Sequence, residues 1–154
     1  MAAYFFDSSA LVKRYAKETG TSRMLGLFRR VTQHGFYAAR ITRVEVTSAL
    51  TRKNRGGHLT SDALTRALAR LRRDFLQTRI FTVEITLSVL QNAESLAEKH
   101  SLHGYDAVQL AAALEANAER TKIGLASLML VTADTDLLSA AIVEGFSTDD
   151  PNNH

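Results

Sequence analysis

The chain contains no cysteine and no tryptophan in 154 residues. Without cysteine there is neither a disulfide framework nor a thiolate zinc site, and thiol catalysis is excluded. Any metal chemistry must run through oxygen or imidazole ligands. No apolar run approaches the roughly 18 to 20 residues that a membrane-spanning helix needs. The opening MAAYFFDSSALVKRY lacks the basic start and long apolar stretch of a secretory signal, so a cytoplasmic protein with no membrane partner is expected. Internal repeats and low-complexity segments are missing as well.

What is present is enough for a core: 45% of residues are hydrophobic, with 7 Phe and 4 Tyr, and 23% are charged. At about 100 to 200 residues per domain, the length implies one domain. It is expected over residues 1–150, with 151–154 as a disordered tail.

The net charge of +3 conceals an uneven distribution. Lys13 to Arg79 holds 16 Lys and Arg against 4 Asp and Glu, whereas residue 80 onward holds 3 against 11. A basic segment is the expected footprint of a polyanion partner, and an acidic remainder can hold cations. A solvated arginine-rich helix face accounts for the basic part equally well.

Hydrophobic patterning alternates strands and helices. Ala3 to Phe6 reads as a buried strand feeding a helix over Ala10, Leu11 and Tyr15. Met24 to Val31 is helical, Phe36 to Ala39 a second strand, and Thr42 opens a helix that closes at Gly56 and Gly57. Thr60 or Ser61 caps a helix carrying Leu64, Leu68, Leu71 and Phe75 between arginines. Ile80 to Ile85 follows as a strand, then helices over 86–100 and 105–118, the strand SLMLVT over 127–132, a helix over 134–144 and a last strand over 146–148. This order predicts an α/β fold built on a mostly parallel sheet.

In such sheets ligands bind beyond the carboxyl ends of the strands, and four acids fall near those ends. Asp7 ends the first strand, Glu45 lies one turn into the helix after the second, Asp106 opens the alanine-rich helix, and Asp134 follows SLMLVT. Taken singly, each has a structural explanation. Thr42-Arg43-Val44-Glu45 fits a capping box, which is the favoured reading of Glu45 alone. The helix dipole favours Asp106, and Asp134 suits an N-cap. Asp7 is harder to place, because a carboxylate against YFF is half buried and needs partners, for which Ser8 and Ser9 are at hand. Taken together, four unpaired carboxylates suit Mg²⁺, a hard cation that relieves their repulsion and activates water against a phosphodiester.

Five strings carry a resemblance: YFFDSSALVKRY, ITRVEVTSAL, LHGYDAVQLAAAL, LVTADTDLLSAA and AIVEGFSTDDP. In this order, and over nearly the whole chain, they resemble PIN-domain ribonucleases, specifically the VapC toxins of type II toxin–antitoxin modules. The resemblance implies a PIN-like three-layer α/β/α sandwich and a Mg²⁺- or Mn²⁺-dependent endoribonuclease. It also implies a small VapB-like antitoxin, RNA as substrate and a homodimer. Carried onto this sequence, it makes Asp7, Asp106 and Asp134 metal ligands and Glu45 the acid that binds metal or orients water. Ser9 and Thr132 become hydroxyls supporting the carboxylates. Asp136, two residues beyond Asp134, competes with it for the fourth acidic position.

Under this reading Arg52, Lys53, Arg55, Arg70 and Arg73 are expected near the groove as RNA-steering cations. The alternative is that this region, with its Leu64, Leu68 and Leu71 stripe, forms a dimer or antitoxin surface. A catalytically inactive PIN-like RNA- or antitoxin-binding domain is the rival function, expected if one acid were replaced, and none is. An aspartyl-phosphate enzyme is disfavoured because position 9 is Ser and Lys122 is the only late lysine available.

Overall fold

Every residue of the first strand is buried, and its side chains divide between two cores. Ala3 and Phe5 enter one, Tyr4 and Phe6 the other, as the two-residue period of a strand covered on both faces requires. The computed structural model describes residues 1–77 and 79–154. Its strands are β1 (Ala3–Phe6), β2 (Gly35–Ala39), β3 (Phe81–Val83), β4 (Met129–Val131) and β5 (Ser147–Asp149). They form one sheet in the order β3-β2-β1-β4-β5, parallel at every pairing. Tyr4 stands opposite both Phe36 and Met129, which makes β1 the central strand.

The helices are α1 (Ser8–Leu11), α2 (Thr21–Phe28), α3 (Thr42–Arg55), α4 (Ser61–Leu76), α5 (Leu87–His100), α6 (Gly104–Lys122) and α7 (Thr135–Val143). The first four cover one face, where Leu11, Met24, Phe28, Leu50 and Leu71 meet Phe6 and Phe36. The last three cover the other, with Leu110, Ala111 and Leu137 against Phe5 and Leu130. The result is the expected three-layer α/β/α sandwich. The Leu64, Leu68 and Leu71 stripe belongs to its core: Leu71 is buried, and Leu64 and Leu68 pack against the same cluster.

Two expectations are corrected. The tail expected to be disordered folds, with Pro151–Asn153 forming a short 3-10 turn in which Pro151 is buried. Three contacts hold it. Asp150 accepts from the Asn152 N–H at 2.9 Å, a His154 ring nitrogen lies 2.8 Å from Asp149, and the Pro151 backbone sits against Gly20. A Cβ at Gly20 would lie 2.9 Å from the Pro151 carbonyl, and Gly20 has φ +89°, so this approach needs glycine. The second correction is the capping box. The N-cap of α3 is Ile41, with no side-chain cap bond, because Thr42 is buried and turns its hydroxyl toward Gln109.

Candidate active site

The strand order reverses beside β1: the chain runs outward through β2 and β3 on one side and later through β4 and β5 on the other. At such a switch point the segments leaving adjacent strands diverge and open a crevice at their carboxyl ends. Asp7 leaves β1 there, and Thr132 leaves β4. The ladder continues one residue past each strand, with the Asp7 N–H donating to Val131 O at 3.2 Å and the Thr132 N–H to Asp149 O at 3.0 Å.

Asp7 is 2% exposed and fully engaged. Its carboxylate accepts from the Ala10 N–H at 3.0 Å, from Ser9 Oγ at 2.9 and 2.8 Å, and from Thr132 Oγ1 at 2.9 Å. These bonds favour the charged form, but burial outweighs them and, with the Asp106 charge adding to it, pushes the carboxyl up to about 7. The two hydroxyls also tie the strand ends together. Ser9 Oγ accepts from the Ala133 N–H at 2.9 Å, and Thr132 Oγ1 from the Asp134 N–H at 3.0 Å.

Asp134 caps α7, accepting from the Leu137 N–H at 2.8 Å, so its expected capping role is observed. Asp106 lies in the first turn of α6 and is partly buried. Burial pushes its carboxyl up to about 6, aided by the charges of Asp134 and Glu45 and opposed by His103, with Asp136 adding least. Asp134 therefore bears on Asp106 more strongly than the exposed Asp136 does. Glu45, on α3, is held from two directions, by Ser8 Oγ at 3.2 Å and by Gln109 Nε2 at 2.7 Å.

Glu45 also lines a cleft of about 500 Å³ together with Ser8, Ser9, Ser48, Arg52 and Tyr105. Among the described residues, no Lys, Arg or His forms an ion pair with Asp7, Glu45, Asp106 or Asp134. Of the four acids Glu45 lines this space, which is large enough for solvent and substrate, and Ser9 and Tyr105 bring the neighbours of Asp7 and Asp106 to its wall. Among the described residues, no three carboxylate or imidazole side chains stand close enough together to enclose an ion. The donor set, all carboxylate and hydroxyl oxygen, suits a hard cation held by one or two carboxylates and completed by water, the manner of Mg²⁺.

The expected cationic residues scatter. Arg52 lines the acid cleft, while Lys53 pairs with Glu18 at 2.7 Å. Arg55 and Arg73 are exposed near the ends of α3 and α4, and Arg70 lines a different cleft. One residue at the site, Gln109, was not expected from the sequence, and Ser8, expected as a partner of Asp7, reaches Glu45 instead. The signal for Gln109 was a polar residue, 1% exposed, in an otherwise apolar alanine-rich face, one turn after Asp106.

A family model described as "PIN domain" matches residues 4–143. Ribonuclease VapC45 of Mycobacterium tuberculosis is 38% identical over 117 residues, which cover 74% of this chain and 76% of that protein. Among solved structures, PAE2754 from Pyrobaculum aerophilum aligns with a TM-score of 0.67 at 20% identity, covering 99% of this chain and 92% of that one. A toxin–antitoxin complex from Klebsiella pneumoniae aligns with a TM-score of 0.55 at 17% identity, covering 86% and 87%.

Proposed function

From the premise that this chain belongs to the PIN-domain family, we propose that it is the toxin of a toxin–antitoxin module, an endoribonuclease hydrolysing RNA phosphodiesters with Mg²⁺ or Mn²⁺. The observation that carries the reading is the acidic group at the switch point. The charge of Asp106 bears on Asp7, and those of Asp134 and Glu45 bear on Asp106, from separate elements and with no ion-pair partner for any of the four among the described residues. The ribonuclease name of the relative at 38% identity supports the activity. The toxin–antitoxin complex among the structural relatives supports a small antitoxin as partner. A homodimer in the cytoplasm completes the proposal.

One or two of Asp7, Asp106 and Asp134 would hold the metal, with water completing its shell. When bound, a divalent ion supplies an acidified water and offsets charge developing on the phosphate. The protein's own part is positional. Ser9 and Thr132 fix the Asp7 carboxylate against the strand ends. Ser8 and Gln109 fix Glu45 on the cleft wall, where a carboxylate orients an attacking water or accepts its proton. Arg52, two turns along α3 on the same cleft, gives a phosphate a cationic contact.

The test is cleavage of total RNA by the purified chain in Mg²⁺, in Mn²⁺ and in EDTA. Cleavage with either ion and none in EDTA is expected. Undiminished cleavage in EDTA overturns the metal dependence, and intact RNA under every condition overturns the nuclease reading.

A further inference from the structure

A second cleft, of about 580 Å³, is lined by Arg14, Lys17, Glu18, Arg29 and Arg70. Two of these charges are already matched. Arg14 donates to the buried Asp74 at 2.7 Å, and Glu18 is shared between Lys13 at 2.9 Å and Lys53 at 2.7 Å. Lys17, Arg29 and Arg70 are exposed and have no ion-pair partner among the described residues. Three unmatched cations around one concavity repel one another and present a standing attraction for anions.

This cleft is joined to the acid cleft by side chains in contact. Arg52 and Ala49 line both the acid cleft and a shallow one of about 390 Å³ that also holds Lys53 and His58. Lys53 then bridges to Glu18 on the wall of the basic cleft. The clefts therefore follow one another from Glu45 across α3 to α2 and α4, linked by shared lining residues and the Lys53–Glu18 pair, with the unmatched cations at the far end. A small anion would occupy only one of these clefts. A chain of phosphates fits the whole path, with one phosphodiester at the acids and the others at the cations.

We propose that the path from Arg52 through Lys53 to Lys17, Arg29 and Arg70 is a binding track for the backbone of an RNA strand whose scissile bond lies at the acid cleft. This rests on the nuclease reading and adds to it where the strand outside the cleaved bond is held. Its cations are assigned to phosphates, so it contributes affinity and register.

The experiment measures binding of the full chain to single-stranded RNA, with Asp7→Asn in every protein so that the RNA survives. One RNA is a dinucleotide and the other about 12 nucleotides, within the ~4–16 that single-strand sites span. Arg29→Ala/Arg70→Ala is compared with its parent and with Arg66→Ala/Arg72→Ala, which removes equal charge from exposed positions of α4 outside these clefts. Arg14 is left intact because it holds Asp74. For the longer RNA, the track variant is expected to bind roughly tenfold more weakly. Its salt slope should be about 1.4 smaller, at ~0.7 per lost phosphate contact. Dinucleotide binding and the control variant should match the parent.

Unchanged affinity and slope in the track variant, with the wild-type chain still cleaving RNA, overturn the track and leave the nuclease reading standing. An equal loss in the control variant overturns the track in favour of net charge. Binding of poly-glutamate as tight as RNA, lost in the same variant, overturns the nucleic-acid assignment. A wild-type chain that neither binds nor cleaves RNA removes the nuclease reading and the track with it.

Discussion

Gln109 Nε2, almost fully buried, donates to Glu45 Oε1 at 2.7 Å and lies 2.8 Å from Thr42 Oγ1, whose hydroxyl can in turn donate to Gln109 Oε1 at 3.2 Å. One amide thus locks α6, which carries Asp106, to α3, which carries Glu45. On the proposed function it is a positioning residue that acts through Glu45. Gln109→Ala is expected to lower the cleavage rate by about 10- to 100-fold and to destabilise the fold by about 1–3 kcal/mol, from the polar groups left unmatched. The discriminating measurement is a double-mutant cycle. Adding Gln109→Ala to Glu45→Gln should reduce cleavage little further, whereas multiplicative losses would show that Gln109 does not act through Glu45.

Asp7 couples stability to pH. In the unfolded chain its carboxyl titrates near 3.8, and in the fold burial pushes it up to about 7. Between those values the folded state binds the proton more tightly. Stability of the metal-free protein therefore falls as pH rises from about 4 to about 7, by at most about 4 kcal/mol from this group. Asp7→Asn keeps the cap on α1, removes the charge, and lets the Ser9 and Thr132 hydroxyls turn to accept from the amide. The variant should lose cleavage, melt higher than wild type in EDTA at neutral pH, and show a flatter dependence of Tm on pH. A lower neutral-pH Tm with undiminished pH dependence would count against Asp7 as the titrating group.

Asp134 and Asp136 separate by conservative substitution. Asp134 does two jobs, capping α7 and bearing on Asp106, and Asn retains the first while removing the charge. Asp134→Asn is expected to reduce cleavage by roughly tenfold or more at nearly unchanged Tm, while Asp136→Asn stays within about threefold of wild type. The reverse ranking would make Asp136 the fourth acid. Asp134→Ala should lower stability by a further ~1 kcal/mol through loss of the cap.

Asp74 holds α4 to the segment after β1. Fully buried, it accepts from Arg14 Nε at 2.7 Å, from Arg14 Nη2 at 3.2 Å and from Tyr15 Oη at 2.9 Å. Asp74→Ala strands a guanidinium and a phenol in the interior and should cost about 3–5 kcal/mol in urea unfolding. Tyr15→Phe, which removes one bond, should cost ~1 kcal/mol.

Much of the fold was legible because burial imposes period. A four-residue apolar run reads as a buried strand, and helical spacing of apolar residues reads as a helix with one covered face. Boundaries moved by a few residues where pairing decided them, as at β4, which spans Met129–Val131 against the expected 127–132 because the Leu128 N–H turns to Asn117. The capping box at Thr42 misled for a physical reason: the motif records a local option, and the buried Gln109 offered Thr42 a better partner from 67 residues away. The tail misled likewise, since its polar composition does not reveal that Gly20 leaves room for the Pro151 backbone.

By itself the sequence determined the chemical inventory. It has carboxylates at strand and helix ends, no thiol, and a basic first half against an acidic second, because residue type and local periodicity are properties of the chain alone. Only the tertiary structure decided the pairings. It set Ser8 on Glu45 and Ser9 on Asp7, made Asp134 the cap of α7, and, among the described residues, left Arg29 and Arg70 without an ion pair while engaging Arg14. Such choices depend on distances across the sheet and on which side chains are desolvated together, and neither exists before strands from opposite ends of the chain lie side by side.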